Sequence, residues 1–378
     1  MARIAVNTRL LLENKLEGIG WFTYETMKRI TKSHPEHEFI FVFDRPYSEK
    51  FIFAENVKPV ILFPPARHPF LYLLFFEFTL PIYLYFKKVD LLISPDGIIP
   101  LSSKVPSLDV IHDINFEHRP KDLPFLHRWF YKRYFNRFAK KATRLATVSE
   151  YSKQDLVTTY GIEPSKIEVV YNGSHDKYEP LEEEEQNRVR HKYAHGRPYF
   201  LYVGSINPRK NIPNLLRAFD AFKKEVSSDL KLVLVGNKMQ NNSEVSKVLM
   251  QMIHKQDVLF LGRLPTSELK GVLASATALT YVPFFEGFGI PILEAMYCDV
   301  PVITSNVTSM PEVAGSAALC VDPKSVDQIK DAMMKVYSDK NVRKELIHKG
   351  RLQRKKFSWD LTAQKLWKAV EQVLNEKK

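Results

Sequence analysis

The feature that most constrains the fold of this chain is an alternation of short apolar runs with amphipathic helical stretches, repeated along nearly its whole length. Strand candidates in the first half fall at 3–6, 39–43, 59–63, 90–94, 108–111, 145–148 and 167–171, with helix candidates at 19–31, 70–86, 125–141 and 152–160 between them. Strands separated by helices pair in parallel, because each crossover needs a helix to carry the chain back. The turn residues Asn172-Gly173-Ser174 and the acidic run Glu182 to Glu185, read as solvated surface, interrupt the pattern. It restarts with strands at 199–203, 232–235, 258–261, 278–282, 301–304 and 317–321. Helices are expected at 212–224, 243–254, 267–274, 290–297, 325–337 and 342–349, and a last one from Trp359 to about Leu374 behind the N-cap residue Ser358. The predicted fold class is α/β: two doubly wound, Rossmann-like domains facing across a cleft, 1–173 and 174–357. At 378 residues the chain exceeds what one core usually covers, and ligands in such sheets bind at the carboxyl ends of the strands.

Hydrophobic residues at 45% and charged residues at 26% are those of an ordinary globular protein. The opening Met1–Val6 lacks the long apolar segment of a signal peptide. The only cysteines, Cys298 in a predicted helix and Cys320 in a predicted strand, form neither a disulfide framework nor a metal cluster. A cytoplasmic location is therefore expected. Segment 70–86 imitates a membrane span but contains Glu77 and Pro81 and is shorter than the ~20 residues a bilayer needs; it reads as a buried or interfacial helix. The net charge of +12 has a local source in 126–141, where Arg128, Lys132, Arg133, Arg137, Lys140 and Lys141 interleave with aromatics and no acid occurs. On a helix, Leu126, Phe130, Tyr134 and Phe138 form one stripe. That pattern suits a core-packing helix with a solvated basic face, or a helix peripheral on the inner membrane face that meets anionic lipid. Nucleic acid is not an expected partner, because no nucleic-acid module accompanies the charge.

Chemistry concentrates at strand ends. Glu286-Gly287-Phe288-Gly289-Ile290-Pro291-Ile292-Leu293-Glu294 follows the strand 278–282. Its glycines put no Cβ in a ligand's way, Pro291 suits a first helical turn, and a helix start attracts phosphate. Glu286 before that anion site and Glu294 a turn beyond could grip hydroxyls on either side of a diphosphate. Gly204-Ser205-Ile206-Asn207-Pro208-Arg209-Lys210-Asn211 follows the strand 199–203 and brings two cations to a helix that Asn211 could cap. Cations placed there favour a leaving diphosphate over the ground state. His112-Asp113 ends another strand: His112 could donate to a phosphate, a sugar hydroxyl or an acceptor, and Asp113 could orient it or take a proton. Gly18 and Gly20 flank the first helix start and would allow an anion close to the backbone. Asp-x-Asp, His-Glu-x-x-His and clustered Cys/His are absent from the sequence, so no metal and no cofactor are expected.

These residues together resemble the retaining glycosyltransferases of family 4, of GT-B fold, nearly end to end. Glu286 and Glu294 match the family's Glu-x7-Glu, and Pro208-Arg209-Lys210-Asn211 its Arg-Lys pair. His112-Asp113, Val148-Ser149-Glu150-Tyr151-Ser152, Tyr171-Asn172-Gly173 and Phe357-Ser358-Trp359 follow in the family's order. The resemblance implies an acceptor-side first domain, a nucleotide-sugar-binding second domain, and a C-terminal helix, 358–378, that returns to the first. It implies that Glu294 holds the ribose and Glu286 the donor sugar, with Gly287, Phe288, Gly289 and Ile290 offering N–H groups to sugar and phosphate. Arg209 and Lys210 would neutralise the diphosphate, with Gly204 and Ser205 beside it, and His112 would face the reacting sugar. Where many relatives carry Gly-Arg this chain has Gly204-Ser205, so one phosphate contact is missing by that comparison and Arg209 is placed to replace it. The implied reaction is metal-independent transfer of a hexose from a nucleoside-diphosphate sugar to a growing glycan or lipid-linked saccharide. The form of the motifs favours mannose, and GDP-mannose over a UDP-hexose. Rival readings are a GT-B phosphorylase or nucleotide-sugar epimerase, and a non-catalytic sugar-nucleotide or membrane-surface binding protein.

Overall fold

The strand candidates are built from runs too apolar to expose either face. In 199–203, Tyr-Phe-Leu-Tyr-Val, every residue is buried, as expected for the centre of a parallel sheet covered by helices on both sides. The computed structural model describes residues 1–13, 16–174, 178–237 and 243–376. It divides into two compact units, Met1–Gly173 with Ser358–Lys378, and Ser174–Phe357; the last two residues of the chain lie outside the described residues.

In the first unit, β1 (Arg3–Asn7), β2 (Glu38–Phe43), β3 (Val57–Ile61), β4 (Leu91–Ser94), β5 (Ser107–Val110), β6 (Arg144–Thr147) and β7 (Ile167–Val169) form one sheet of order β3-β2-β1-β4-β5-β6-β7. The pairings are parallel. Winding runs outward in both directions from β1 and β4, whose adjacent ends form the switch point. Helix Trp359–Glu376 belongs to this unit. Ser358 Oγ accepts from the Leu361 N–H (3.2 Å), Trp367 stacks on His34 at 3.7 Å, and Arg144 holds Glu376 at 2.7 Å.

In the second unit, β8 (Tyr199–Val203), β9 (Lys231–Val235), β10 (Val258–Gly262), β11 (Ala278–Tyr281), β12 (Val302–Ser305) and β13 (Ala318–Val321) are ordered β10-β9-β8-β11-β12-β13. These pairings are parallel as well. Its switch point lies between β8 and β11.

Several local expectations are corrected. The acids at 182–185 are exposed, as expected, but Glu183, Glu184 and Glu185 also open a helix the sequence reading did not place, Glu183–Ala194, where their charge meets the positive end of the helix dipole. Helix 342–349 is longer, Lys340–Gln353, because Asp339 caps it by accepting from Asn341 and Val342 N–H groups. Cys298 closes helix Ile290–Tyr297 rather than lying inside it. In helix Phe125–Lys141 the buried face is Phe130, Phe135, Phe138 and Ala139, and Leu126 faces solvent instead of continuing that stripe. Segment 69–86 is helical throughout, but Phe75–Thr79 winds as a π turn between Pro69–Leu74 and Leu80–Phe86. Only a third of that stretch is buried, and among the described residues it is the one helix long and apolar enough, by length and composition, to cross a membrane.

Candidate active site

Arg209 and Lys210 leave the carboxyl end of β8 in a single tight turn, Pro208–Lys210, and Glu286 lies five residues beyond the end of the neighbouring β11. The switch point thus brings together side chains 77 positions apart in the chain. Glu286 Oε1 accepts from both Arg209 and Lys210, and Arg209 also donates to the Phe285 carbonyl at 3.1 Å. Lys210 Nζ donates to the Tyr281 hydroxyl (2.5 Å) and lies 4.9 Å from that ring's centre. Burial opposes ionisation of Glu286, yet Arg209 and then Lys210 hold its carboxyl below the usual range, so it is anionic at neutral pH. Desolvation raises the hydroxyls of Tyr202 and Tyr281 well above their ordinary value, with the Glu286 charge adding to it. The site is a buried carboxylate clamped by two cations on a floor of neutral phenols.

The loop is fixed in part by Ser309, which sequence reading did not single out. Ser309 Oγ donates toward the Glu286 carbonyl (2.9 Å) and the Phe288 carbonyl (3.2 Å). Asn211 was expected to cap the following helix through its side chain; it makes no such bond. Its Nδ2 donates instead to the Val282 carbonyl (3.0 Å) and the Pro323 carbonyl (2.6 Å), tying three loops together, while its backbone sits at φ 62°. Gly289 caps helix Ile290–Tyr297 at φ 101°, ψ 53°, and a Cβ there would meet Met310 Cε at 2.6 Å. Phe288 packs edge-on against Phe357, with ring centres 5.7 Å apart. Gly204 lies beside the cluster, the position of its absent Cβ being 2.9 Å from the Tyr202 hydroxyl. Ser205 is exposed; its carbonyl accepts from Tyr202 (3.0 Å) and its hydroxyl from Asn207 (3.0 Å).

Glu294 stands on the same helix and is half-buried. Its partner is Tyr178, whose hydroxyl donates to it, a residue sequence reading did not identify. Desolvation outweighs that bond and pushes the carboxyl up to about 7. A carboxyl whose folded value exceeds its unfolded one binds its proton more tightly when folded, so stability is full below about pH 4.5 and falls as pH rises toward 7. The loss amounts to at most about 3 kcal/mol. Glu294→Gln should remove it: the variant is expected to gain stability over the wild type at about pH 8 and to match it at about pH 4, by urea midpoint. Equal midpoints at both pH values would place the titration elsewhere.

His112, Asp113, Gly18 and Gly20 belong to the first unit. His112 Nε2 lies 2.9 Å from the Pro95 carbonyl and its ring meets Phe22 edge-on at 4.9 Å. Burial lowers its pKa, so the ring is neutral at pH 7. Bonding to a carbonyl puts the proton on Nε2 and leaves Nδ1 an acceptor. Of the two roles expected of Asp113, orienting His112 falls to the Pro95 carbonyl, because the Asp113 carboxylate accepts from Asn115 N (3.0 Å) and Nδ2 (2.6 Å). Gly20 packs against the Leu10 carbonyl, 2.9 Å from where a Cβ would lie, while Gly18 faces open space. The first unit's own switch point holds a pair not singled out from sequence: Arg9 bonds Asp96 and donates to the Ala66 carbonyl at 3.1 Å. Among the described residues no group of three or more His, Cys, Asp or Glu is arranged to hold a metal ion.

Two doubly wound parallel sheets in separate units of one chain are the arrangement of the GT-B enzymes. Residues 16–178 match the family Glycosyltransferase Family 4, and residues 183–353 the family Glycosyl transferases group 1. O-antigen chain mannosyltransferase B of Escherichia coli is 31% identical over 259 residues, 67% of each chain. O-antigen chain mannosyltransferase RfbU of Salmonella typhimurium is 29% identical over 59% of this chain and 61% of its own length. The crystal structure of HepE from Anabaena in complex with UDP-glucose superposes with a TM-score of 0.76 at 14% identity, covering 98% of this chain and 100% of that one. The chain belongs to the group 1, family 4 glycosyltransferases and is a glycosyltransferase of GT-B fold.

Proposed function

We propose that this glycosyltransferase moves a hexose, with mannose ranked first, from a nucleoside-diphosphate sugar to a growing glycan or lipid-linked saccharide at the cytoplasmic membrane face. In this reading it keeps the anomeric configuration and uses no metal. The observation that carries the reading is the Arg209–Lys210–Glu286 cluster at the second switch point, beside the helix start at Gly289. A diphosphate arriving there would draw both cations from the carboxylate and free Glu286 oxygens to accept from sugar hydroxyls. As the sugar leaves, charge builds on the diphosphate, and cations held in place by the protein stabilise that charge more than the ground state. Two cations supply what a divalent ion does in metal-dependent transferases. Glu294, with a carboxyl near neutrality, can accept from or donate to a ribose hydroxyl. His112 is assigned to the reacting sugar by resemblance, and its neutral ring with an accepting Nδ1 is compatible with taking a hydroxyl proton.

Mannose is supported by two relatives named as O-antigen chain mannosyltransferases, and a nucleotide-sugar donor by the UDP-glucose bound to a protein of the same fold. The motifs rank GDP-mannose before a UDP-hexose. The test begins with a thermal-shift panel of nucleotide sugars, followed by transfer from the best binder to lipid-linked acceptors. GDP-mannose should give the largest shift, and product should require acceptor. Product formed without acceptor would point to epimerisation or hydrolysis and overturn the transfer reading. Transfer should also be unchanged by excess chelator; loss of activity restored by added magnesium or manganese would refute metal independence.

A further inference from the structure

We propose that helices Pro69–Phe86 and Phe125–Lys141 of the first unit form a docking surface for an anionic lipid bilayer, with the first of them lying flat in the headgroup layer. One face of 69–86 belongs to the protein: Tyr72, Phe75, Phe76, Leu80 and Leu84 are buried in the core cluster. The opposite face is apolar and uncovered, with Phe70, Leu74, Phe78, Ile82 and Phe86 exposed by 57, 48, 61, 55 and 75%. These residues are spaced by four throughout. On a pure α-helix each such step overshoots a full turn by about 40°, so five residues would spiral away from one side. The π turn at Phe75–Thr79 winds more slowly and gives rotation back. More than half of that drift is cancelled, and all five residues stay exposed along about 24 Å of helix. Because the other face is core, the helix cannot cross a bilayer without dismantling the unit; it can only lie on one.

The second helix joins this surface at its amino end, where Tyr72 meets Phe130 with ring centres 5.2 Å apart. Phe125, Leu126 and Trp129 are exposed there by 68, 37 and 42%. Charge names the occupant. Arg67 precedes the apolar stripe and Lys87 and Lys88 follow it, all exposed, where long cationic side chains can reach headgroups while the stripe sinks. Lys132, Arg133, Arg137, Lys140 and Lys141 are exposed on the second helix, of which Lys132 also approaches Glu117 at 3.7 Å. Between Ile61 and Val89 the only acid is Glu77. Its carboxylate is turned onto the protein, accepting from Leu101 N (2.8 Å) and Ser102 N (3.0 Å). An apolar strip rimmed by cations and cleared of anions fits acidic lipid. A second copy of the chain would set these cations against one another. The surface adds to the reading of a membrane-borne acceptor without depending on it, since lipid binding needs no turnover.

The test is flotation of the full chain with vesicles of phosphatidylcholine alone or with about one-third phosphatidylglycerol. Binding should appear with the anionic vesicles and weaken with salt. Phe78→Glu/Ile82→Glu should weaken it at least about tenfold, and Lys132→Gln/Arg133→Gln/Arg137→Gln should abolish the preference for anionic lipid. All five positions are exposed, so unchanged thermal midpoints are expected. Absence of wild-type binding, or equal binding by Phe78→Glu/Ile82→Glu, would overturn the proposal. So would a lipid-free wild type that sediments as a dimer and becomes a monomer in that variant, which would identify the face as a contact between copies.

Discussion

Glu286→Gln is expected to lower hexose transfer at least about a hundredfold, the scale on which losing one charge-stabilising group acts in such sites. It is also expected to lower the thermal midpoint. Sequence alone suggests that the fold is left intact, because Gln copies the shape of Glu. The structure argues otherwise. Glu286 is the counter-charge of both Arg209 and Lys210 in a buried setting, and Gln would offer them one neutral oxygen and an NH₂ that can only repel. Leaving the buried Lys210 without this carboxylate costs about 3 kcal/mol or more, with the partly exposed Arg209 adding less. A nucleoside diphosphate would supply the missing negative charge, so its addition should raise the variant's midpoint more than the wild type's. Transfer per folded molecule and midpoint with and without nucleotide check both statements. Wild-type transfer by a folded Glu286→Gln protein would remove the carboxylate from the chemistry. A midpoint that nucleotide raises equally in both proteins would remove the cations from diphosphate binding.

Gly236→Ala should be the most damaging change for its size. Gly236 follows β9 at φ 148° and Gly204 follows β8 at φ 146°. A Cβ on Gly236 would overlap the Gly204 carbonyl oxygen. Backbone on both sides leaves nothing that can rotate away, in contrast to Gly289, whose nearest obstacle is the mobile end of Met310. Either the β8–β9 ends separate, moving the turn that aims Arg209 and Lys210, or the unit unfolds. Loss of about 3 kcal/mol or more is expected from a strained backbone combined with a clash, with donor-induced thermal shift lost in whatever folds. Gly289→Ala should be milder in stability and comparable in donor affinity. Urea unfolding and nucleotide titration of the two variants separate these outcomes; a Gly236→Ala protein as stable as the wild type would show that the strand ends can part freely.

Much of this could be read in the chain. The strands were found to within about two residues, because buried parallel strands are apolar over their full length and helices between them are not. Arg209, Lys210, Glu286 and the glycines around 287–289 were legible because chemistry concentrates at strand ends in such sheets. The helix Glu183–Ala194 was missed because a run of acids looks the same whether it is a solvated loop or a first turn complementing a helix dipole. Tyr178, Ser309 and Gly236 carry no signal of their own: a tyrosine, a serine and a glycine acquire roles only from what the fold sets beside them. The expectation that Asp113 orients His112 failed for a related reason, since its carboxylate is turned to Asn115 rather than to the neighbouring imidazole.

By itself the sequence determined the alternation of strand and helix, the parallel sheets that follow from it, and which side chains stand at strand ends, since apolar periodicity and turn chemistry are local properties. Tertiary structure alone decided that Arg209 and Lys210 clamp Glu286, that Pro95 orients His112, and that the 69–86 stripe stays exposed from Phe70 to Phe86. Those outcomes depend on which strand ends become neighbours and how each helix turns onto the sheet, and residues dozens of positions apart encode neither until the chain has folded.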